Sequence, residues 1–408
     1  MNSAFKRPSD QLRVVAMGYI VRCPIGGMAW HHLQYVMGLS AVGHDVIFLE
    51  DSGDDPWACY DPQRGVTDHD PSYGLQFARD TFARVGLADR WAYHDALASS
   101  WHGPAAERII DFCGTADLVL NLSGANPLRD WVSKIPVRVY VDTDPVFTQL
   151  RHVSDPVSLK RARQHTAFFS FGGNFARTDH LIPDDGLPWQ PTRQPVVLDA
   201  WPVLPAPDTG AFTTVMQWDQ TLQNVPRSFN GLAYGRKSDS FEAYKDLPQL
   251  TSATMELALG GGAAPRDELR RKGWRLIDPL AVTRTPWTYQ EYIQESKAEF
   301  SVAKHGYVVT RSGWFSERSA GYLASGRPVV VEETGFSTWL ARTGGVLSFT
   351  SSQEAAAALK EVSAHYAFHC REARTLAEEY FDSKKVLSFL LKHAITQDAS
   401  IPRGLEAQ

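Results

Sequence analysis

The sequence predicts an α/β fold made of two domains, each with a parallel sheet. The chain has 408 residues, which is more than one ordinary hydrophobic core accommodates. Short apolar runs rich in β-branched residues alternate with helical patterns in both halves, which is typical of βαβ units. Between the halves lies a segment that holds seven prolines, at positions 183, 188, 191, 195, 202, 205 and 207.

The composition excludes several classes of protein. Hydrophobic residues make up 43% and charged residues 21% of the chain, as in a globular protein. The net charge of −5 does not indicate nucleic-acid binding. The four cysteines are far apart, which predicts a reduced, cytoplasmic protein without a zinc site. We expect no membrane span, because no apolar run reaches about eighteen residues.

The first half begins with a strand at 12–18, a Gly-rich loop, a helix at about 28–41 and a strand at 45–49. Residues 50–71 are rich in Asp, Gly and Pro and predict a loop. Helices near 73–85 and 105–112 and strands at 116–121, 136–141 and 167–171 complete this half. We therefore expect an N-terminal domain at 1–185 and a linker at 186–208.

The second half restarts with a strand at 213–218 and has predicted helices near 252–259, 265–272 and 289–296. Strands are expected at 275–277, 299–302 and 346–349. We expect a C-terminal domain at 209–369, terminal helices at 370–393 that pack back on the first domain, and a frayed tail at 394–408.

One stretch of the second half, Thr310–Phe336, combines a polar turn, a short helix, a Gly–Arg–Pro stop and a buried strand. The start of such a helix offers free N–H groups and the positive end of a dipole, which suit a phosphate. The side chains expected there are Ser316, Arg318 and Ser319. Glu317 is either a ligand of ribose hydroxyls or an acid favoured by the helix dipole. An ordinary crossover with a solvated turn is the alternative for the whole stretch.

A second stretch, Gly26–Val46, reads GGMAWHHLQYVMGLSAVGHDV. Together the two stretches resemble the nucleotide-sugar-dependent glycosyltransferases of the two-domain GT-B type. The glycine pair, His31 and the later Gly43–His44 match a pattern of retaining members. The helix and the SGRPVVV turn and strand resemble the nucleotide-sugar element of that family. The family's usual pair of glutamates would fall near Gly313 and Gly321, so stereochemistry stays open.

The resemblance implies two Rossmann-like domains that face a cleft, with a nucleoside diphosphate sugar as co-substrate and no other cofactor or metal. The acceptor would lie on the N-terminal domain. A nucleotide-sugar 2-epimerase of the same fold and a non-catalytic nucleotide-binding protein remain alternatives, and a homodimer stays open. A dinucleotide fold, with Glu50 or Asp51 at a ribose, is a further alternative that lacks the Gly-x-Gly-x-x-Gly motif.

The candidate catalytic residues are His31, Asp142 and Asp144. The resemblance places His31 near the donor sugar, where an imidazole takes a proton or binds the sugar; a packed histidine is the alternative. Asp142 and Asp144 follow a predicted strand, and either one is a candidate base or a turn cap.

The remaining candidates would bind the donor. The glycines Gly26 and Gly27 either let a phosphate approach or form a turn with positive φ. The basic pair Arg236 and Lys237 would either contact the diphosphate or lie in a solvated loop. Lys304 and His305, which end the preceding strand, are further candidates for a phosphate contact. Glu333 and Thr334 would contact the hydroxyls of the donor sugar, or form a turn at the end of their strand.

Overall fold

Two sheets of parallel strands, one in each half, organise the chain. The computed structural model describes residues 11–205, 207, 210–218, 228–341 and 344–398. The strands of the first half are β1 (Arg13–Met17), β2 (Asp45–Asp51), β3 (Cys59–Asp61), β4 (Val66–Asp68), β5 (Trp91–Asp95), β6 (Ser100–His102), β7 (Leu118–Leu122), β8 (Val137–Asp142), β9 (Ala167–Ser170) and β10 (Gln190–Pro191). Its helices are α1 (Gly26–Ala41), α2 (Ser72–Arg84), α3 (Ile109–Gly114), α4 (Asp130–Ser133), α5 (Phe147–Ser154) and α6 (Pro156–Ala162).

The strands of the second half are β11 (Phe212–Gln217), β12 (Ser228–Phe229), β13 (Leu232–Ala233), β14 (Met255–Gly260), β15 (Arg275–Ile277), β16 (Ala298–Ser301), β17 (Val329–Glu332) and β18 (Val346–Phe349). Its helices are α7 (Lys237–Phe241), α8 (Arg266–Arg271), α9 (Pro279–Thr283), α10 (Pro286–Glu295), α11 (His305–Val309), α12 (Glu317–Ala324), α13 (Ser352–Ala364), α14 (Tyr366–Leu376) and α15 (Ser383–Asp398). None of the helices described here is long and apolar enough to cross a bilayer.

The N-terminal sheet has the order β10-β9-β8-β7-β1-β2-β5-β6, and the C-terminal sheet has the order β15-β14-β11-β16-β17-β18. Only the edge strand β6 pairs antiparallel in these two sheets. Alternate residues of β1 enter different cores: Val14 and Ala16 belong to one hydrophobic cluster, and Val15 and Met17 to another. Helices cover both faces, which explains why the strand is an unbroken apolar run.

The predicted helix at 252–259 is wrong, because this segment holds β14. Its residues Met, Glu, Leu and Ala favour a helix in isolation. In the fold, β14 pairs with β11 on one side and β15 on the other, and Met255, Leu257 and Leu259 enter the second core. The loop predicted at 50–71 holds the hairpin β3–β4, and β5 and β6 were not predicted.

The linker segment and the terminal helices connect the two halves. The strand β10, inside the segment expected to be a linker, pairs with β9 of the first sheet. The helix α14 packs on α12 of the C-terminal half, whereas α15 crosses and packs on α1. The tail expected to fray from residue 394 continues α15 as far as Asp398, and residues 399–408 lie outside the described residues.

Candidate functional site

A cavity of about 330 Å³ lies between the two halves, and residues of both line it. We call it the interdomain cavity. Its walls are formed where strands end: Tyr19 follows β1, Asp144 follows β8, Gln217 ends β11 and Lys304 follows β16. Ligands of open α/β sheets bind at these carboxyl ends, so the topology alone places a site here.

Three basic side chains face this cavity. Lys304 donates to both carboxylate oxygens of Asp144, at 2.9 and 2.8 Å. Burial, followed by the nearby Arg318, lowers the pKa of Lys237 to about 7. No carboxylate of the described residues lies within 4.0 Å of the Lys237 ammonium. An anionic ligand would relieve the repulsion between these cations.

Arg318 is anchored from three sides. Its guanidinium donates to Glu299 Oε1 at 2.7 Å, to the carbonyl of Val215 at 2.9 Å and to Ser301 Oγ at 2.6 Å. These contacts use three of the five N–H groups of the fork. The C-terminal sheet therefore fixes the position of the Arg318 guanidinium at the cavity, and Glu299 pairs with its charge.

The helix α12 begins at this cavity. Ser316 is its N-cap, and its Oγ accepts a hydrogen bond from the backbone N–H of Arg318 at 3.2 Å. Glu317 lines the interdomain cavity and also a smaller void of about 30 Å³ behind it. Ser319 lines a different, small hollow on the other side of Ser316. The helix ends where Gly326 adopts a φ of +66°, as the Gly–Arg–Pro pattern predicts.

The adjacent histidines His31 and His32 have opposite environments. His32 Nδ1 donates to the Met28 carbonyl at 2.7 Å, and Nε2 accepts from the Tyr19 N–H at 3.2 Å. His31 is only 7% exposed, yet its Nε2 has no partner among the described residues. Its ring lies on the boundary that the interdomain cavity shares with the smaller void.

Burial lowers the pKa of His31, and the nearby Glu317 opposes that shift. The imidazole is therefore neutral at pH 7 and has an unused acceptor nitrogen. A buried polar atom without a partner costs stability and calls for an explanation. A hydroxyl group of a ligand in the cavity would supply the missing hydrogen bond.

The two candidate aspartates differ in whether they line the interdomain cavity. Asp142 is fully buried and accepts four hydrogen bonds, from Thr148, Gln149, Ser170 and the Asp144 N–H. Its oxygens organise the end of β8, and it does not line the interdomain cavity. Asp144 does line it, and accepts from Lys304 and from the Tyr307 hydroxyl.

The glycine pair lies at the first turn of α1, against α10 of the other domain. Neither glycine has a positive φ, so the alternative of a left-handed turn is wrong. A Cβ on Gly26 would lie 2.2 Å from the carbonyl oxygen of Thr285, and one on Gly27 would lie 3.3 Å from the Tyr289 ring. Gly27 also lines the small void beside His31. The structure therefore uses Gly26 for close packing of the two domains.

The last candidates lie apart from the cavity. Arg236 caps α7, and its backbone N–H donates to Asp239. Glu333 Oε1 accepts from the N–H groups of Gly335 at 2.7 Å and Ser337 at 3.4 Å, as a turn cap. Thr334 donates to the Trp314 carbonyl and lines the small hollow with Ser319. For Glu333 and Thr334, these contacts agree with the alternative prediction of a turn at the end of the strand.

Three aromatic residues of the interdomain cavity were not predicted from the sequence. Tyr19, Tyr307 and Trp314 line the interdomain cavity, and the rings of the last two stack at 4.4 Å. Each is one aromatic residue among many, since the chain has 14 tyrosines and 12 tryptophans. Only the position of Tyr19 directly after β1 would have placed it at a strand end.

The dinucleotide alternative does not fit the end of β2. The Glu50 carboxylate accepts from the backbone N–H groups of Ile20, Val21 and Arg22, at 2.7, 2.7 and 2.8 Å. Asp51 is bonded to Arg129 and His94. Both carboxylates are used inside the protein and are not available to a ribose.

The structure resembles solved structures along nearly its whole length. An α-glucosyltransferase in complex with UDP-glucose and DNA containing an abasic site matches with a TM-score of 0.56 at 11% identity, covering 94% of this chain and all of that one. Anabaena HepE in complex with UDP and glucose matches with a TM-score of 0.55 at 12% identity, covering 96% and 100%. AviGT4, a glycosyltransferase involved in avilamycin A biosynthesis, matches with 0.51 at 13% identity, covering 96% and 99%.

This chain has the GT-B fold. The predicted fold class, two Rossmann-like domains with parallel sheets that face a cleft, is thereby confirmed. No family model matches the sequence, and no curated protein matches it. In this GT-B chain the interdomain cavity is the cleft between the two domains.

Proposed function

We propose that the chain is a glycosyltransferase that moves a hexosyl group from a nucleoside diphosphate sugar to a hydroxyl of an acceptor. The observation that carries the proposal is the unpaired Nε2 of His31 at the edge of a cleft cavity that also holds Lys237, Lys304 and Arg318. A neutral base beside a group of fixed cations suits a reaction in which a hydroxyl loses a proton and a diphosphate leaves.

Each side chain then has a task. The acceptor hydroxyl donates its proton toward His31 Nε2 or hydrogen-bonds to it while its oxygen forms a bond to the anomeric carbon. The bond from that carbon to the diphosphate breaks, and its electron pair stays on the diphosphate. Lys237, Arg318 and the first turn of α12, with Ser316, stabilise the charge of the leaving diphosphate. Lys304 also contacts the diphosphate once its ammonium group has left the carboxylate of Asp144.

The donor base is proposed to be uracil, because two of the three neighbours, the α-glucosyltransferase and HepE, are complexes with UDP-glucose or UDP. We propose that the reaction needs no metal ion, as the resemblance to GT-B glycosyltransferases implies. A reducing compartment such as the cytoplasm is proposed from the four cysteines, all of which are free thiols.

The test has two stages. The first measures UDP, GDP, dTDP and ADP binding by calorimetry, and we expect UDP to bind most tightly. The second follows UDP release from UDP-glucose with and without added acceptors, in buffer and in excess EDTA. Release that depends on an acceptor and resists EDTA supports the proposal. Formation of an epimer from donor alone would instead establish the 2-epimerase, and tight UDP binding without any turnover would establish a non-catalytic binding protein.

A further inference from the structure

A second, larger cavity lies entirely in the N-terminal domain. Its volume is about 1310 Å³, and every residue that lines it falls between Arg22 and His165. We call it the N-domain cavity. Its walls come from the loop after β2, the segment around α4, and the helices α5 and α6. It is four times the size of the interdomain cavity, so it would admit a ligand larger than one sugar.

The two cavities meet at the ends of β1, β7 and β8. Tyr19 and Thr143 line the interdomain cavity, whereas Arg22 and Gly124 line the N-domain cavity. Ser123 lies between them, because its hydroxyl is 2.6 Å from Thr143 Oγ1 and Gly124 is the next residue of the chain. The linings of the two cavities are therefore adjacent at Ser123 and Thr143, where a molecule in the N-domain cavity would approach the donor site.

The cationic end of the N-domain cavity is formed by Arg151 on α5 and Arg161 on α6. Among the described residues neither has a carboxylate within 4.0 Å. The other two arginines of the lining are neutralised, since Arg22 is paired with Glu50 and Arg129 with Asp51 and Asp54.

The acidic residues of the same lining do not offset these two cations. They are Asp54, Asp55 and Asp130, which lie in the loop after β2 and at the start of α4. Asp54 already forms an ion pair with Arg129. On the side of the cavity formed by α5 and α6, Arg151 and Arg161 therefore have no carboxylate of the described residues within ion-pair distance.

A histidine held by a carboxylate lies on the same side. His152 Nδ1 is 2.7 Å from Asp185 Oδ2, and both side chains are almost fully buried. Asp185 is itself fixed by the Trp189 indole N–H, at 3.0 Å, and by the Leu187 N–H, at 3.1 Å. This bond turns the other ring nitrogen, Nε2, into the acceptor.

His152 is 3% exposed and lines the cavity, and its Nε2 has no partner among the described residues. It can accept a hydrogen bond from a hydroxyl group. A polar cavity with one oriented hydroxyl acceptor and two unpaired guanidinium groups fits a polyhydroxylated molecule that carries an anionic group.

We infer that the N-domain cavity binds the acceptor, and that the acceptor is an anionic sugar or a related polyol bearing a phosphate or a carboxylate. This inference rests on the proposed glycosyl transfer. His152 binds a hydroxyl of that acceptor, and Arg151 and Arg161 bind its anionic group. His152 is a binding residue here, whereas His31 remains the group beside the reacting hydroxyl.

The test measures the binding of three matched probes by calorimetry on the full chain saturated with UDP. The probes are glucose, glucose 6-phosphate and glucuronate. We expect at least one anionic sugar to bind tenfold or more tightly than glucose, because two charge-assisted contacts are added. The better of the two tells whether phosphate or carboxylate is the natural group.

Variants assign the effect to residues. Arg151→Ala and Arg161→Ala should each weaken the anionic probe about tenfold or more and leave UDP binding unchanged. Arg163→Ala is the matched control, because this exposed arginine directly follows α6 and does not line the N-domain cavity. His152→Gln should weaken glucose and the anionic probes by the same factor.

Equal binding of glucose and both anionic sugars, no binding of any probe, or full affinity in the two arginine variants would each overturn the inference. The proposed function fails differently, by absence of UDP binding or of UDP release. A result in which UDP binds and turns over while the probes do not discriminate overturns only the acceptor assignment.

Discussion

Lys304 of the C-terminal domain holds Asp144 of the N-terminal domain through both carboxylate oxygens, at 2.9 and 2.8 Å. The pair lies across the interdomain cavity, where it links the end of β8 to the end of β16. In the proposed reaction, a cation that would contact the diphosphate is thus paired with a carboxylate of the other domain before the donor binds. We expect the donor to compete with Asp144 for this ammonium.

Substitution of Asp142 should lower the stability of the fold much more than substitution of Asp144. Asp142→Asn removes the charge that four donors share and leaves an amide N–H₂ facing them, so we expect a loss of about 1–3 kcal/mol. The melting temperature should fall by several degrees. Asp144→Asn should cost less than about 1 kcal/mol, because its ion pair is partly exposed. Differential scanning calorimetry checks both, and equal melting temperatures for the two variants would contradict the assignment.

His31→Ala should lower acceptor-dependent turnover by about 10²–10⁴-fold, the usual contribution of a general base. Folding should be little affected, because the Nε2 of His31 has no partner to lose in the described residues. His32→Ala serves as the comparison: it removes two hydrogen bonds from the core and should lower the melting temperature instead. Unchanged turnover in a folded His31→Ala protein would remove this residue from the reaction.

His31 should determine the acid limb of the pH profile of activity. Burial lowers the pKa of His31, so the base stays neutral below the ordinary histidine range. Activity should therefore hold as pH falls through about 6.5 and decline only at lower pH. A profile of kcat/KM from pH 4.5 to 8.5 measures this. An acid limb centred at or above the ordinary value would show that a different group titrates.

Lys237 should make donor binding pH-dependent. Its pKa is lowered to about 7, and an adjacent diphosphate raises it, so binding at pH 8 takes up a proton. Affinity for UDP should consequently weaken as pH rises above 7. Calorimetry at pH 8 in buffers of different ionisation enthalpy detects the proton.

Lys237→Met should abolish the proton uptake at pH 8 and weaken UDP binding by about 10–100-fold, the worth of a hydrogen bond to a charged group. Lys360→Met, at an exposed position of α13, is the control and should change neither quantity. Proton uptake that persists in the Lys237→Met variant would point to another group in the cavity.

Gly26→Ala should separate the domains. Its methyl group would lie 2.2 Å from the Thr285 carbonyl oxygen, which belongs to backbone and cannot rotate away. We expect a larger radius of gyration by small-angle scattering and loss of most turnover, with each domain still folded. Gly114→Ala is matched to it, since a Cβ there meets no atom within 4 Å. An unchanged scattering profile in Gly26→Ala would contradict this role.

The sequence by itself determined the alternation of strands and helices. A strand of a parallel sheet is buried on both faces and is therefore an unbroken apolar run, such as Val14–Met17. It also determined the turn, helix and strand around α12, since Ser316 and Gly326 carry local capping chemistry. It could not determine β14, whose local preference is helical and whose state is set by pairing with β11 and β15.

The tertiary structure alone decided which of these polar side chains face the cleft. His31 and His32 are the same residue type one position apart, and Asp142 and Asp144 are two positions apart. In each pair one side chain, His32 or Asp142, is held by hydrogen bonds inside the protein, and the other lines the interdomain cavity. Tyr19, in the loop after β1, reaches His32 and Ser170, on β9, reaches Asp142 only because the chain folds, so sequence spacing names the candidates and three-dimensional contacts choose between them.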